Sequence, residues 1–420
     1  MKITNNSHKL ISFFVENNCI PSIKQTKNTD TIFTNLYHEM HNGFKYIENI
    51  KNIKNKIEIK MHHSKIHMAS QIPKPTTFNF NDFPDDIQHR IDNFSISSIV
   101  YSLQLFNKNI NISFVLENNV TETVIKCYNK YVDNLLVWLY IITQYASSSC
   151  ATDIHIYIYH TSLTKKLPQN SHDTLDETHV NTAFTKTCPA NSEIVIFRKE
   201  EWFKVFIHET FHNFGLDFSN MSNHECHLKI LSMFPVNSEV NLFEAYAEFW
   251  ARTINALFCS YNNMKHKDDI NDFLTNAEFF INYERIYSFF QMVKVLDFMN
   301  LDYNTLNKTG IQSNIVRQKQ YKENTSVLSY YVITLILINN YQDFILWCNI
   351  NNTSLFQFKQ TATNQHNFCK FIEKKYKLKA LLAGVKCSEQ ILHRIKQTTG
   401  SKKNILFLLT NLRMTLCELG

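Results

Sequence analysis

The alternation of apolar and polar positions divides the chain into a strand-bearing first half and a helical second half. Residues 111–119 and 153–161 alternate or cluster β-branched and aromatic side chains, which predicts strands. Residues 179–185 and 192–199 read as two further short strands. Residues 121–145 instead space their apolar positions three and four apart, which predicts a helix with Thr121 as its N-cap. Residues 200–218 are apolar nearly all round apart from a few polar positions, as in a buried helix. Gly215 stands where a left-handed C-cap would end it. Helices are predicted over 241–258, 276–300 and 324–339, and a basic amphipathic one over 371–387. The fold class expected is α+β.

Residues 1–75 show weak periodicity and are rich in Lys, Asn and His, so they read as a polar extension or a pro-segment. His38, His41, His62, His63 and His67 are expected to be loose surface histidines rather than a second metal site. Residues 72–86 carry three of the seven prolines and read as a linker or extended arm. An α/β subdomain is expected over 76–220 and a mainly helical one over 221–420.

Composition narrows the classes further. With 44% hydrophobic and 13% aromatic residues, the 420-residue chain can bury a large core. A net charge of +6 is mild for this length and supports neither a nucleic-acid nor a membrane partner. The ten cysteines include no C-x-x-C pair, so reduced thiols are expected rather than a disulfide framework. The N-terminus lacks the uninterrupted apolar run of a signal peptide, and residues 327–338 are too short to span a bilayer. These features point to a cytoplasmic protein.

Chemistry concentrates in residues 200–218, EEWFKVFIHETFHNFGLDF, where His208, Glu209 and His212 spell H-E-x-x-H. On a helix, residues four apart share a face, so both imidazoles can converge on one ion with Glu209 beside it. The plainer reading is a core helix whose histidines bond to backbone, but it leaves Glu209 unexplained. A catalytic zinc also needs a third protein ligand. In residues 241–258, NLFEAYAEFWARTINALF, Glu244 and Glu248 lie four apart on an otherwise apolar helix. Glu244 follows His212 by 32 residues. Asp217 is the rival ligand.

These motifs resemble the zincin metallopeptidases. Gly215, the GLDFS run and Met233–Pro235 look like metzincins, but Phe218 stands where that group has its third histidine. E-A-Y-A-E resembles the ligand helix of gluzincins. That resemblance implies Glu244 as the third ligand, with Glu248 orienting a ligand histidine; Asp217 is then placed in the supporting layer. Residues 181–184, Asn-Thr-Ala-Phe, resemble the substrate-binding edge strand of thermolysin-like enzymes with one residue inserted. This makes Asn181, Thr182 and Ala183 candidates for binding an extended peptide, although an ordinary hairpin strand fits as well.

The resemblance implies a small mixed β-sheet over the active-site helix, followed by a mainly α-helical subdomain. It also implies one Zn²⁺ per chain, Glu209 as general base, and a peptide or protein substrate. His224, Tyr330 and Tyr331 are donors among which the sequence does not choose an oxyanion partner. The alternatives are a catalytically inactive zincin-like scaffold and a hydrolase acting on a small-molecule amide.

Overall fold

The computed structural model describes residues 1–52, 59–78, 82–397 and 403–420. Helices α1 (Asn5–Asn17) and α2 (Lys27–Asn52) open the chain, followed by β1 (Lys60–Lys65) and α3 (Asp85–Phe94). Next come β2 (Ser97–Leu105), β3 (Lys108–Leu116), α4 (Glu122–Ile142) and β4 (Asp153–His160). One helical turn, α5 (Glu177–Val180), leads to β5 (Ala183–Thr185) and β6 (Asn191–Ile196). The rest is helical. It comprises α6 (Trp202–Asn213), α7 (His224–Met233), α8 (Leu242–Asn263), α9 (Ile270–Phe298), α10 (Tyr303–Asn307) and α11 (Ile311–Gln320). A π-helical turn (Leu328–Ile333) then runs into α12 (Thr334–Asn339), followed by α13 (Tyr341–Asn351), α14 (Ala362–Lys375), α15 (Lys379–Gln397) and α16 (Lys403–Thr410).

The six strands form one mixed sheet in the order β1-β2-β3-β4-β6-β5. The β3–β4 and β4–β6 pairs are parallel and the other three antiparallel. Phe106 and Asn107, both at positive φ, make the two-residue turn between β2 and β3, the backbone a tight hairpin needs. Ile110, Ile112 and Phe114 of β3 point into the main core with α4 and α6. On the other face Val115, Tyr159, Val195 and Phe197 pack with Ile87 and Ile91 of α3 in a smaller core. The sheet is thus covered on both faces, which explains its nearly continuous apolar strands. Thr121 caps α4, its hydroxyl accepting from the Val124 amide.

Five expectations need correction. The described part of the first 75 residues is not an appendage. Phe33, Leu36, Tyr37 and Met40 of α2, with Leu10 and Phe14 of α1, sit in the main core. Their three- and four-residue spacing is helical, but the many polar residues between them mask it. The backbone of Lys2 also pairs with that of Gly420. The predicted linker 72–86 includes residues 79–81, which lie outside the described residues; its described parts, 72–78 and 82–86, are not free, since Ile72 and Phe83 seal the outer face of the sheet. There the hydroxyls and amides of Thr76 and Thr77 hold the Glu193 carboxylate at 2.6–2.9 Å.

Residues 179–185 are not one strand. Asp176 caps α5 through the Thr178 amide, so the strand begins only at Ala183. The cysteines are not all free thiols: Cys19 is bonded to Cys387 and Cys150 to Cys188. These partners lie 368 and 38 residues apart, so no short-range cysteine motif announces them. The basic stretch 371–387 is also broken at Tyr376 into the end of α14 and the start of α15. Among the described residues, no helix is long and apolar enough to cross a membrane.

Candidate metal centre

Helix α6 is buried along its whole length and packs between α8 and the strands β5 and β6. Its C-terminus closes in a Schellman motif. Gly215 at φ 64° donates to the His212 carbonyl, and the Leu216 amide donates to the Phe211 carbonyl. A Cβ at Gly215 would lie 3.3 Å from Cβ of Cys188, against the Cys150–Cys188 bridge. Both the backbone and the space at this position call for glycine.

This rigid helix presents His208 and His212 on one face, and Glu244 reaches them from the first turn of α8. His208 Nε2 lies 3.1 Å from His212 Nε2 and 3.1 Å from Glu244 Oε2. His212 Nε2 lies 3.5 Å from the same oxygen. Ligands about 2.0–2.2 Å from a tetrahedral zinc stand roughly 3.3 Å from one another, so the spacing suits that ion.

The outer nitrogens sharpen this fit. His212 Nδ1 is bonded to Asp217 Oδ2, and the other Asp217 oxygen accepts from the amide and hydroxyl of Ser219 at 2.9 and 2.8 Å. His208 Nδ1 lies 3.1 Å from Glu248 Oε2 at a bent angle, a charge contact more than a linear hydrogen bond. A carboxylate at each Nδ1 favours the proton there and turns each Nε2 lone pair inward. Two lone pairs and a carboxylate oxygen facing one another repel unless a cation or shared protons lie among them. His208, His212 and Glu244 therefore fit a divalent metal.

The electrostatics follow from the same contacts. Burial alone would lower the pKa of His208, but Glu244 and Glu248 outweigh it and the net shift is upward. His212 is raised well above its ordinary value, because Asp217 and Glu244 overcome a similar burial effect. Burial would raise Glu244, yet His212 and His208 hold it below the usual carboxylate range. Glu248 remains ionised against its burial because it also binds Lys204 Nζ at 3.0 Å and Arg252 Nε at 2.7 Å.

Glu209 differs from every other acid at the site. Its carboxylate makes no hydrogen bond or ion pair among the described residues, although the side chain is largely buried. Burial raises its pKa, with His208 and His212 pulling the other way. It lines a small cleft together with Asn181, Thr182, Ala183, Lys165, Lys204 and Tyr330. Relative exposures of 6% for His208, 7% for Glu209 and 8% for His212 show how narrow its mouth is. Strand β5 is the edge of the sheet nearest this cleft. Asn181 precedes it and accepts from the Thr325 hydroxyl at 3.0 Å.

Of the three candidate donors, Tyr330 reaches the site. Its hydroxyl donates to Glu244 Oε2 at 2.9 Å. Tyr330 lies in the π-helical turn, whose extra residue per turn re-aims side chains. The Tyr331 hydroxyl donates instead to the Leu412 carbonyl, and His224 begins α7. Sequence reasoning missed Lys204 and Arg252, each four residues from a site residue on its own helix, a spacing that signals them. Lys165 and Met414 also line the cleft, and nothing local marks them.

Comparison with protein-family models, with curated proteins and with solved structures gives no match, so the site is read from its own chemistry.

Proposed function

We propose that the protein is a zinc-dependent metallopeptidase of gluzincin-like build, with His208, His212 and Glu244 as ligands and Glu209 as general base. The observation that carries this reading is the pairing of three convergent donor atoms with a largely buried carboxylate, that of Glu209, which has no hydrogen-bond or ion-pair partner among the described residues. A structural metal site needs the first feature and has no use for the second.

A zinc ion held by His208, His212 and Glu244 would supply an acidified water and polarise a substrate carbonyl. Glu209 accepts the water's proton and returns it to the departing amine. Its raised pKa brings it closer to neutrality, where an acid–base group works best. Asp217 and Glu248 hold the two imidazoles in one tautomer and orientation. Tyr330, whose hydroxyl donates to Glu244 Oε2, holds that carboxylate facing the two imidazoles. The open edge of β5 offers an extended peptide backbone a place to pair.

A second reading has one observation in its favour: the narrow, buried site suits a metal-holding scaffold that cleaves nothing. Metal analysis and proteolysis together separate the two. The peptidase reading expects one zinc per chain in the wild type and far less in Glu244→Ala. It also expects full zinc but a roughly 10³-fold loss of proteolysis in Glu209→Gln. Zinc without cleavage of any unfolded protein would favour the scaffold. A well-folded wild type that takes up no zinc would sink both.

A further inference from the structure

The ten cysteines fall largely into pairs. Beyond the Cys19–Cys387 and Cys150–Cys188 bridges, Cys259 on α8 stands beside Cys417 near the C-terminus. Cys226 on α7 faces Cys369 on α14 with their sulfurs 2.8 Å apart. That is closer than the roughly 3.5–4.0 Å at which non-bonded heavy atoms settle. Both side chains are buried, on two helices that pack directly against each other. The remaining cysteines are Cys127 and Cys348.

We propose that Cys226 and Cys369 form a third disulfide, and that it anchors the segment joining the two ligand-bearing helices. The position of α7 gives the cross-link its reach. Asn223, at the start of α7, donates through Nδ2 to the Val240 carbonyl and, at 3.3 Å, to Asn241 Oδ1. His227 Nδ1 accepts from the Val240 amide at 3.1 Å. Val240 and Asn241 lead straight into the first turn of α8, where Glu244 sits. On the other side, Gln365 of α14 donates to the Ser222 carbonyl at 3.0 Å. Phe368 of α14 packs against Phe218 and Tyr246. A bond between α7 and α14 therefore ties the entry to the Glu244 helix to a separate part of the fold.

The chemistry balances with a small disulfide such as oxidised glutathione as oxidant. One protein thiolate attacks a glutathione sulfur, forming a mixed disulfide and releasing one glutathione thiolate. The second protein thiolate then attacks the protein sulfur of that mixed disulfide and releases the other. The two cysteines give up two electrons and two protons, and the glutathione disulfide is reduced to two thiols. Because both sulfurs are buried in the finished fold, the reaction takes place as α14 docks on α7.

The cross-link itself stands independently of the peptidase reading; its effect on the site rests on that reading. The test is a peptide map of the full chain folded in a buffer of oxidised and reduced glutathione, alkylated and digested without reductant. The expected result is a peptide pair joined through Cys226 and Cys369, lost on reduction and absent from Cys369→Ser. Alkylated Cys226 and Cys369 would overturn the proposal, whether or not the Cys19–Cys387 and Cys150–Cys188 bridges are found joined. A second measurement follows zinc release to a chelator from wild type and from the Cys226→Ser/Cys369→Ser variant. The variant is expected to lose zinc several-fold faster. Equal rates would overturn the link to the site. A wild type that never holds zinc would count against the metal site and leave the peptide map to decide the disulfide.

Discussion

Two buried histidine environments in this protein show what makes an imidazole a candidate metal ligand. His160 ends β4 among the rings of Phe114, Tyr131 and Trp202, with Nδ1 2.7 Å from the Tyr128 hydroxyl and Nε2 unpartnered. Burial there meets no opposing acid and pushes the pKa down to about 3, so the ring is neutral and structural. His208 and His212 are just as buried, yet each has a carboxylate behind it and Glu244 in front, and both shift upward. Burial is common to the two regions; the surrounding acids differ. A histidine in this fold is a metal-ligand candidate because of Asp217, Glu248 and Glu244, not because it is inside.

The comparison is most strongly broken at Glu248. Glu248→Gln leaves Lys204 and Arg252 buried with their shared countercharge removed, which typically costs about 3–5 kcal/mol. Denaturant unfolding should show a loss of that size, and an unchanged midpoint would mean that the acid layer is dispensable.

The next effect is on acid stability. His160 has a folded pKa below that of the unfolded chain, so the unfolded state binds more protons between these values. Stability from this residue is therefore present above about pH 6.5 and is lost as pH falls toward 3. Between pH 6.5 and 4.5 the loss is about 2 kcal/mol. His160→Phe should flatten that part of the stability–pH curve, and an identical slope in the variant would show that the ring is not held neutral.

Asp217→Asn tests the other side of the comparison. Losing a carboxylate behind a ligand histidine usually weakens metal binding roughly 10–100-fold, which competition titration with a chelator would measure. The same substitution should leave the fold largely intact, because Asn can still accept from Ser219. Smallest is the pH effect on zinc uptake. His208 and His212 must lose their protons to bind metal, so affinity should rise with pH through a range displaced upward from the ordinary histidine one. A flat profile would point to donors other than His208 and His212.

What the sequence determined by itself lies within a few residues of each landmark. The apolar spacing of 200–218 and 241–258 specified two buried helices, the four-residue interval put His208 and His212 on one face, and Gly215 marked the helix end. Thr121 announced its cap in the same way. All of these depend on interactions within one or two turns. The tertiary structure decided the rest. It drew α1 and α2 into the core, added β1 and β2 to the sheet, and shortened the edge strand to Ala183–Thr185. It brought the Tyr330 hydroxyl, from a π-turn, to Glu244 and turned that of Tyr331 to Leu412, and it set Lys204, Glu248 and Arg252 in one buried cluster. It also brought Cys19 to Cys387 and Cys150 to Cys188. Such pairings depend on which surfaces meet after collapse, and residues hundreds of positions apart leave no periodic trace of that meeting in the chain.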